Sequence, residues 1–141
     1  MPMRYQDDKA VNPPRKRILI CGDRNYKDWI KVQEYLDTIS RTTIIIHGGA
    51  RGADSLAGNL ATSLKMKVIK FPADWDKYGK AAGVLRNQQM LDEGHPDLVV
   101  YFHKDIENSK GTRDMLKRAT DSGIRIINGE TREVYKGNNE Q

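Results

Sequence analysis

A chain of 141 residues with 38% hydrophobic content is long enough to bury one core and too short for two ordinary domains. Its apolar stretches, such as Ile44-Ile45-Ile46, fall far below the roughly 18 to 20 residues of a membrane-spanning helix, and the polar opening Met1 to Lys16 has no apolar signal-peptide core. A cytoplasmic protein with no membrane partner is expected. The net charge of +5, from 24 Lys and Arg against 19 Asp and Glu, suits an anionic ligand; apart from Arg15-Lys16-Arg17 it is scattered, which makes nucleic acid a poor candidate partner.

Residues 1–16 mix charge with Asn12 and Pro13-Pro14, and read as a flexible basic and polar arm. From Arg17 onward, short β-branched or aromatic runs alternate with longer amphipathic segments. The runs Ile18 to Cys21, Thr43 to Ile46, Val68 to Phe71, Leu98 to Phe102 and Ile124 to Ile127 predict five buried parallel strands. Between them the helical spacing of Trp29, Val32, Leu36 and Ile39 predicts a helix over Asp28 to Ser40, and Leu56, Leu60 and Leu64 predict one over Ala53 to Leu64. Val84, Leu85, Met90 and Leu91 predict a helix over Gly83 to Glu93, and Met115, Leu116 and Ala119 one over Thr112 to Ser122. Right-handed crossovers then give an α/β fold over residues 17–128: a single Rossmann-like, doubly wound parallel sheet of order 3-2-1-4-5. The polar tail, 129–141, is expected to add a short strand around Glu133 to Tyr135 and then fray. Cys21, the lone cysteine, closes the first apolar run and reads as a core residue, with no His near it in sequence to make it a nucleophile.

Ligands of an open parallel sheet sit beyond the carboxyl ends of its strands, where the strand order reverses. For this order the lining loops are Gly22-Asp23-Arg24-Asn25-Tyr26, His47 to Asp54, and His103 to Thr112. Gly48, Gly49, Ala50, Arg51 and Gly52 join a strand to a helix, so the backbone can approach a phosphate and offer N–H groups at a positive helix end, or can simply make a tight turn. The segment is neither G-x-G-x-x-G nor a Walker A sequence. Ser109, Lys110, Gly111 and Thr112 open the last helix either as a plain cap or as a second anion site using the same N–H groups. Arg86, followed by Asn87, offers a planar fork for a phosphate or a surface ion pair. Trp75 suits base stacking or packing between loop and sheet. His47, His95 and His103 are not spaced as metal ligands, so no metal and no cofactor are expected.

At five segments the sequence resembles the YspA-type branch of the SLOG superfamily, a Rossmann-like group. The motifs are Cys21-Gly22-Asp23-Arg24-Asn25-Tyr26, then His47 through Asp54, Ala73-Asp74-Trp75, Ala82-Gly83-Val84-Leu85-Arg86-Asn87-Gln88-Gln89-Met90, and Gly111-Thr112, in family order. SLOG proteins include LOG-type phosphoribohydrolases, which cleave the N-glycosidic bond of nucleoside 5′-monophosphates, DprA-like DNA-binding proteins, and sensor domains for nucleotide signals. The resemblance implies that Gly48 and Gly49 match the LOG glycine loop, Arg86 its catalytic arginine, and Gly111 and Thr112 its phosphate-binding turn. It also implies a homo-oligomer, a dimer or larger. The chain departs from the LOG pattern at the two glutamates, where it has Asp114 and Met115, and replaces the Pro-Gly-Gly start with Asp105 to Lys110.

Three function classes follow. A nucleotide N-glycosidase would use Arg86 to neutralise charge and Asp114 or Asp54 to stabilise the ribosyl cation or orient water, although each acid also suits a helix start. An acid one methylene short is displaced by about 1 Å, enough to cost on the order of 10²-fold in rate. A non-catalytic sensor for a nucleotide-derived signal needs the same loops and no such acid. Nucleic-acid binding ranks third.

Overall fold

The computed structural model describes residues 15–137. Five parallel strands, β1 (Arg17–Gly22), β2 (Ile44–His47), β3 (Lys67–Lys70), β4 (Leu98–Phe102) and β5 (Arg125–Asn128), form one sheet in the order β3-β2-β1-β4-β5. Because both faces are covered, the central strands are apolar at consecutive positions, with alternate residues going to opposite cores. Ile18, Ile20, Ile45, Val100 and Phe102 face one helical layer, and Leu19, Cys21, Ile44, Ile46, Val99 and Tyr101 face the other. Edge strand β3 carries exposed lysines at both ends, Lys67 and Lys70, which blunt it against further pairing.

The first layer is α1 (Trp29–Asp37) and α2 (Ala53–Ser63). Asp28 caps α1, accepting the Lys31 N–H at 3.3 Å, and the helix ends three residues short of Ser40. Val32, Tyr35 and Leu36 are buried, whereas Trp29, expected on the same stripe, is 52% exposed. In α2 the buried positions are Ala53, Asp54, Ala57, Gly58 and Ala61, and the three leucines flank them half-buried. Small residues on that face bring the helix close to β2: a side chain at Gly58 would meet the His47 ring.

The second layer is α4 (Ala82–Gly94) and α5 (Lys110–Asp121), preceded by the single turn α3 (Trp75–Tyr78) and a short 3-10 segment, Gly79–Ala81. The inward face of α4 is Ala82, Asn87, Met90, Leu91 and Gly94, while Val84 and Leu85, expected on it, are exposed. The reason is Asn87, a polar residue that faces inward because it bonds to α5, so the apolar spacing alone points to the wrong face. Met115, Leu116 and Ala119 of α5 are buried as their spacing predicts.

Past β5 the chain turns back. Val134 makes an isolated antiparallel bridge to Ile127, where a strand was expected, and the Tyr135 ring stands edge-on to Tyr101 at 6.0 Å. Most of the expected N-terminal arm and the last four tail residues lie outside the described residues. Arg15 and Lys16, at the arm's end, join β2 through the Arg15 Nε to Thr42 carbonyl bond of 2.7 Å and the Ile44 N–H to Lys16 carbonyl bond of 2.8 Å. Among the described residues no helix is long and apolar enough to cross a membrane.

Candidate functional site

Gly22 ends β1 at φ +156 beside the last residue of β4, and a Cβ there would collide with the Phe102 carbonyl oxygen. Only glycine lets the two central strands stay paired up to the sheet's carboxyl edge. Asp23 continues the pairing through its N–H to the Phe102 carbonyl at 3.0 Å. Its own carbonyl accepts the Ala53 N–H at 3.1 Å, so the loop after β1 sits on the first turn of α2. Gly52, at φ +74, is the contact point, since a Cβ there would run into the Asp23 carbonyl and the Arg24 backbone. The Arg24 and Arg51 side chains are exposed around this contact.

The glycine turn after β2 closes on the chain's own groups. The Gly48 N–H donates to the Asp54 carboxylate at 2.8 Å, and the N–H groups of Ala50 and of Asp54 itself also act on that carboxylate. The Gly49 N–H donates to His47 Nδ1 at 3.0 Å, and the Ala50 carbonyl accepts the Ser55 hydroxyl at 2.7 Å. An acid of this chain therefore occupies the place an external anion would take at a helix start. Burial pushes the Asp54 carboxyl up to about 6, against the opposing pull of the Gly48 N–H and the Arg86 charge. Burial pulls His47 down to about 4, helped by the Lys70 and Arg86 charges, which leaves it neutral with Nδ1 free to accept. Cys21 lies in the same buried zone, where burial and then the Asp54 charge push its thiol far up, so it stays a protonated core residue.

Arg86 crosses from α4 to this turn, donating through Nη1 to the Gly48 carbonyl, and its Nε donates to Asn87 Oδ1 at 3.2 Å. Asn87 Nδ2 in turn donates to Asp114 Oδ2 at 3.0 Å and to the Gly111 carbonyl at 3.3 Å. Arg118 Nε reaches the same Asp114 oxygen at 2.8 Å, and Arg118 Nη1 donates to Gln88 Oε1 at 2.8 Å. One hydrogen-bonded chain thus runs from the glycine turn through Arg86, Asn87 and Asp114 to Arg118. Sequence reasoning missed His47, Gln88 and Arg118 as its members. The spacing of Asp114 and Arg118, four apart on a helix, is a signal that finds the last of them.

The start of α5 is arranged differently. Ser109 caps it, accepting the Thr112 N–H at 3.1 Å. Thr112 is buried, while Lys110 and Gly111 are exposed and nothing lies within 4 Å of where a Gly111 side chain would begin. A cleft of about 670 Å³ lies between α5 and the returning tail, lined among others by Ser109, Lys110, Asp114 and Lys136. That cleft adjoins the sheet edge without including Gly48 or Arg86. Among the described residues no group of three or more His, Cys, Asp or Glu is gathered to hold a metal ion.

The structure therefore brings Gly22, Asp23, Gly48, Asp54, Arg86, Asn87, Gly111 and Asp114 to one edge, and leaves Arg24, Arg51 and Lys110 on its exposed rim. This is the edge and strand order of a Rossmann-like α/β protein. A solved structure with the same fold is DNA processing protein A (DprA) from Streptococcus pneumoniae, with a TM-score of 0.67 at 17% identity over 81% of this chain and 50% of that one. The chain spans about half the length of that neighbour. In sequence it is similar to the Gene 61 protein of Mycobacterium phage D29, 37% identical over 122 residues, covering 80% of this chain and 95% of the relative. The model of the YspA, cpYpsA-related SLOG family matches residues 16–78. The chain belongs to that family.

Proposed function

We propose that this protein binds a nucleotide or nucleotide-derived ligand at the carboxyl edge of the sheet and acts as a non-catalytic sensor or binding module. The observation that carries this reading is the Arg86 guanidinium. It is half-buried between the glycine turn and α5 and fixed in orientation by Gly48 and Asn87, and its Nη2 has no hydrogen-bond partner among the described residues. A pre-oriented planar fork of this kind favours phosphate over a mobile surface charge. On the other side of Asn87, whose Nδ2 reaches the Gly111 carbonyl, α5 begins with the exposed residues Lys110 and Gly111, so the positive end of that helix lies near the same edge. A non-catalytic role is supported by the acids: Asp54 is buried within the glycine turn, and Asp114 carries two bonds on one oxygen.

The second reading is hydrolysis of the N-glycosidic bond of a nucleoside 5′-monophosphate, and one observation favours it. Both bonds to Asp114 use Oδ2, leaving Oδ1 without a partner among the described residues for a ribose hydroxyl or a water. Calorimetric titration with AMP, GMP, CMP and UMP, with chromatography of the same mixtures for free base, separates the two. Binding without base release is the expected result, and Arg86→Gln should weaken it about tenfold or more, as for loss of a charge-assisted pair. Base release that Asp114→Asn abolishes at unchanged affinity would establish the hydrolase instead. Absence of binding to all four would refute the nucleotide reading.

A further inference from the structure

Four large apolar side chains stand in solvent on consecutive stretches just before and within α4: Trp75 at 59% exposed, with Tyr78, Val84 and Leu85. Trp75 is the largest of them. It opens the single turn α3, which Asp74 holds by accepting the Lys77 N–H at 3.1 Å, and which packs against α4. A Cβ on Gly83 would lie 3.5 Å from Trp75 Cη2, so the indole rests beside the bare backbone of α4. Gly83 precedes Arg86 by three residues, which puts them on one helix face about 5 Å apart along the axis. Arg86 lies in turn against Gly48. Indole, glycine, guanidinium and glycine turn therefore follow one another from the open surface to the edge of the sheet.

An exposed indole held in place by a capped turn, with a phosphate-type fork one helical turn away, matches a molecule that is planar and apolar at one end and anionic at the other. We propose that Trp75 is the base platform of the site: the nucleobase of the ligand stacks on its exposed face while the phosphate meets Arg86. This inference rests on the nucleotide reading and adds the subsite that reading lacks. Stacking on an indole tolerates any base and favours the larger purines, because every base presents a π face. The subsite thus supplies affinity for the base without selecting its hydrogen-bonding edge.

The chain has two tryptophans, Trp29 and Trp75. A Trp29→Phe variant leaves Trp75 as its only indole, on the opposite layer from the residue removed. Titration of this variant with AMP should quench its fluorescence, whereas ribose 5-phosphate, which has the phosphate and no base, should bind without quenching. In the otherwise native chain, Trp75→Ala should weaken AMP about tenfold or more and leave ribose 5-phosphate unchanged, with Trp75→Phe recovering most of the loss. The exposure of Trp75 makes an unchanged melting temperature the expected control. Equal AMP affinity in native chain and Trp75→Ala overturns the platform and leaves the nucleotide reading standing. Failure of all nucleotides to bind the native chain overturns both.

Discussion

The two glycine-bearing turns at the sheet edge, 48–52 after β2 and 109–112 at the start of α5, look alike in sequence and behave in opposite ways. Each joins a strand to a helix and each brings N–H groups to a positive helix end. The first is folded around Asp54, with His47 and the Asp23 carbonyl taking further N–H groups, so its polar groups are spent on holding itself together. The second is capped by the Ser109 hydroxyl, touches α4 through the Asn87 bond to the Gly111 carbonyl, and keeps Lys110 and Gly111 exposed. Glycine beside a helix start therefore marks backbone freedom, and the nearest acid decides whether that freedom serves a ligand or the fold. Asp54, two residues inside α2, turns the first loop inward; α5 has no acid in its first turn.

The contrast is most severely tested at Gly52. Replacing it with Ala puts a methyl against the Asp23 carbonyl at a backbone angle of φ +74, and should cost roughly 3 kcal/mol or more. That corresponds to a fall of about 10 °C in melting temperature for a domain of this size. The matching change in the second turn, Gly111→Ala, meets nothing within 4 Å and should be neutral or slightly stabilising. If both variants melt alike, the distinction between a closed and an open turn is wrong.

A second test uses pH. The raised Asp54 carboxyl binds its proton more tightly in the folded state, so between about 4 and 6 its contribution to stability falls as pH rises. The lowered His47 does the reverse: it is neutral when folded and protonated when unfolded, so its contribution rises with pH from about 4 to the ordinary 6.5. The two slopes oppose each other across nearly the same window. Asp54→Asn removes one and exposes the other. Denaturant unfolding of that variant should gain stability from pH 4 to 6.5 by on the order of 3 kcal/mol more than the native chain does. Parallel pH curves for the two would mean that Asp54 is not buried under the turn.

The smallest effect is expected at Ser109. Loss of its hydroxyl in Ser109→Ala removes the bond to the Thr112 N–H and should cost about 1 kcal/mol, with Ser109→Asp restoring it. Because the Ser109 hydroxyl is the cap of this helix start, the loss should appear in hydrogen exchange of the first turn of α5 before it appears in global melting.

Much of the fold was legible because it depends on period and order. Five short β-branched runs alternating with amphipathic segments admit few packings, and right-handed crossovers select the one observed. The errors have a common cause. Apolar spacing places Val84 and Leu85 on the buried face of α4 and the leucines on that of α2, but α4 is oriented by Asn87, which is polar and buried, and α2 meets the sheet through alanines and a glycine. Spacing counts apolar residues and is blind to a polar group that finds a partner 27 residues further on, as Asn87 does in Asp114. For the candidate site the sequence supplied most of the residues, and it singled out Arg86 and the two glycine turns by chemistry alone.

What the sequence determined by itself was the order of elements, the edge of the sheet that carries the loops, and the family, because these follow from local pattern and from motifs read in line. What only the tertiary structure decided was the direction in which each polar group points. Whether the Gly48 N–H faces a ligand or Asp54, whether Arg86 is loose or braced, and whether Trp75 is core or surface are settled by contacts between segments far apart in the chain. Hydrogen bonds are short and directional, and no periodicity along one strand or helix encodes a partner on another.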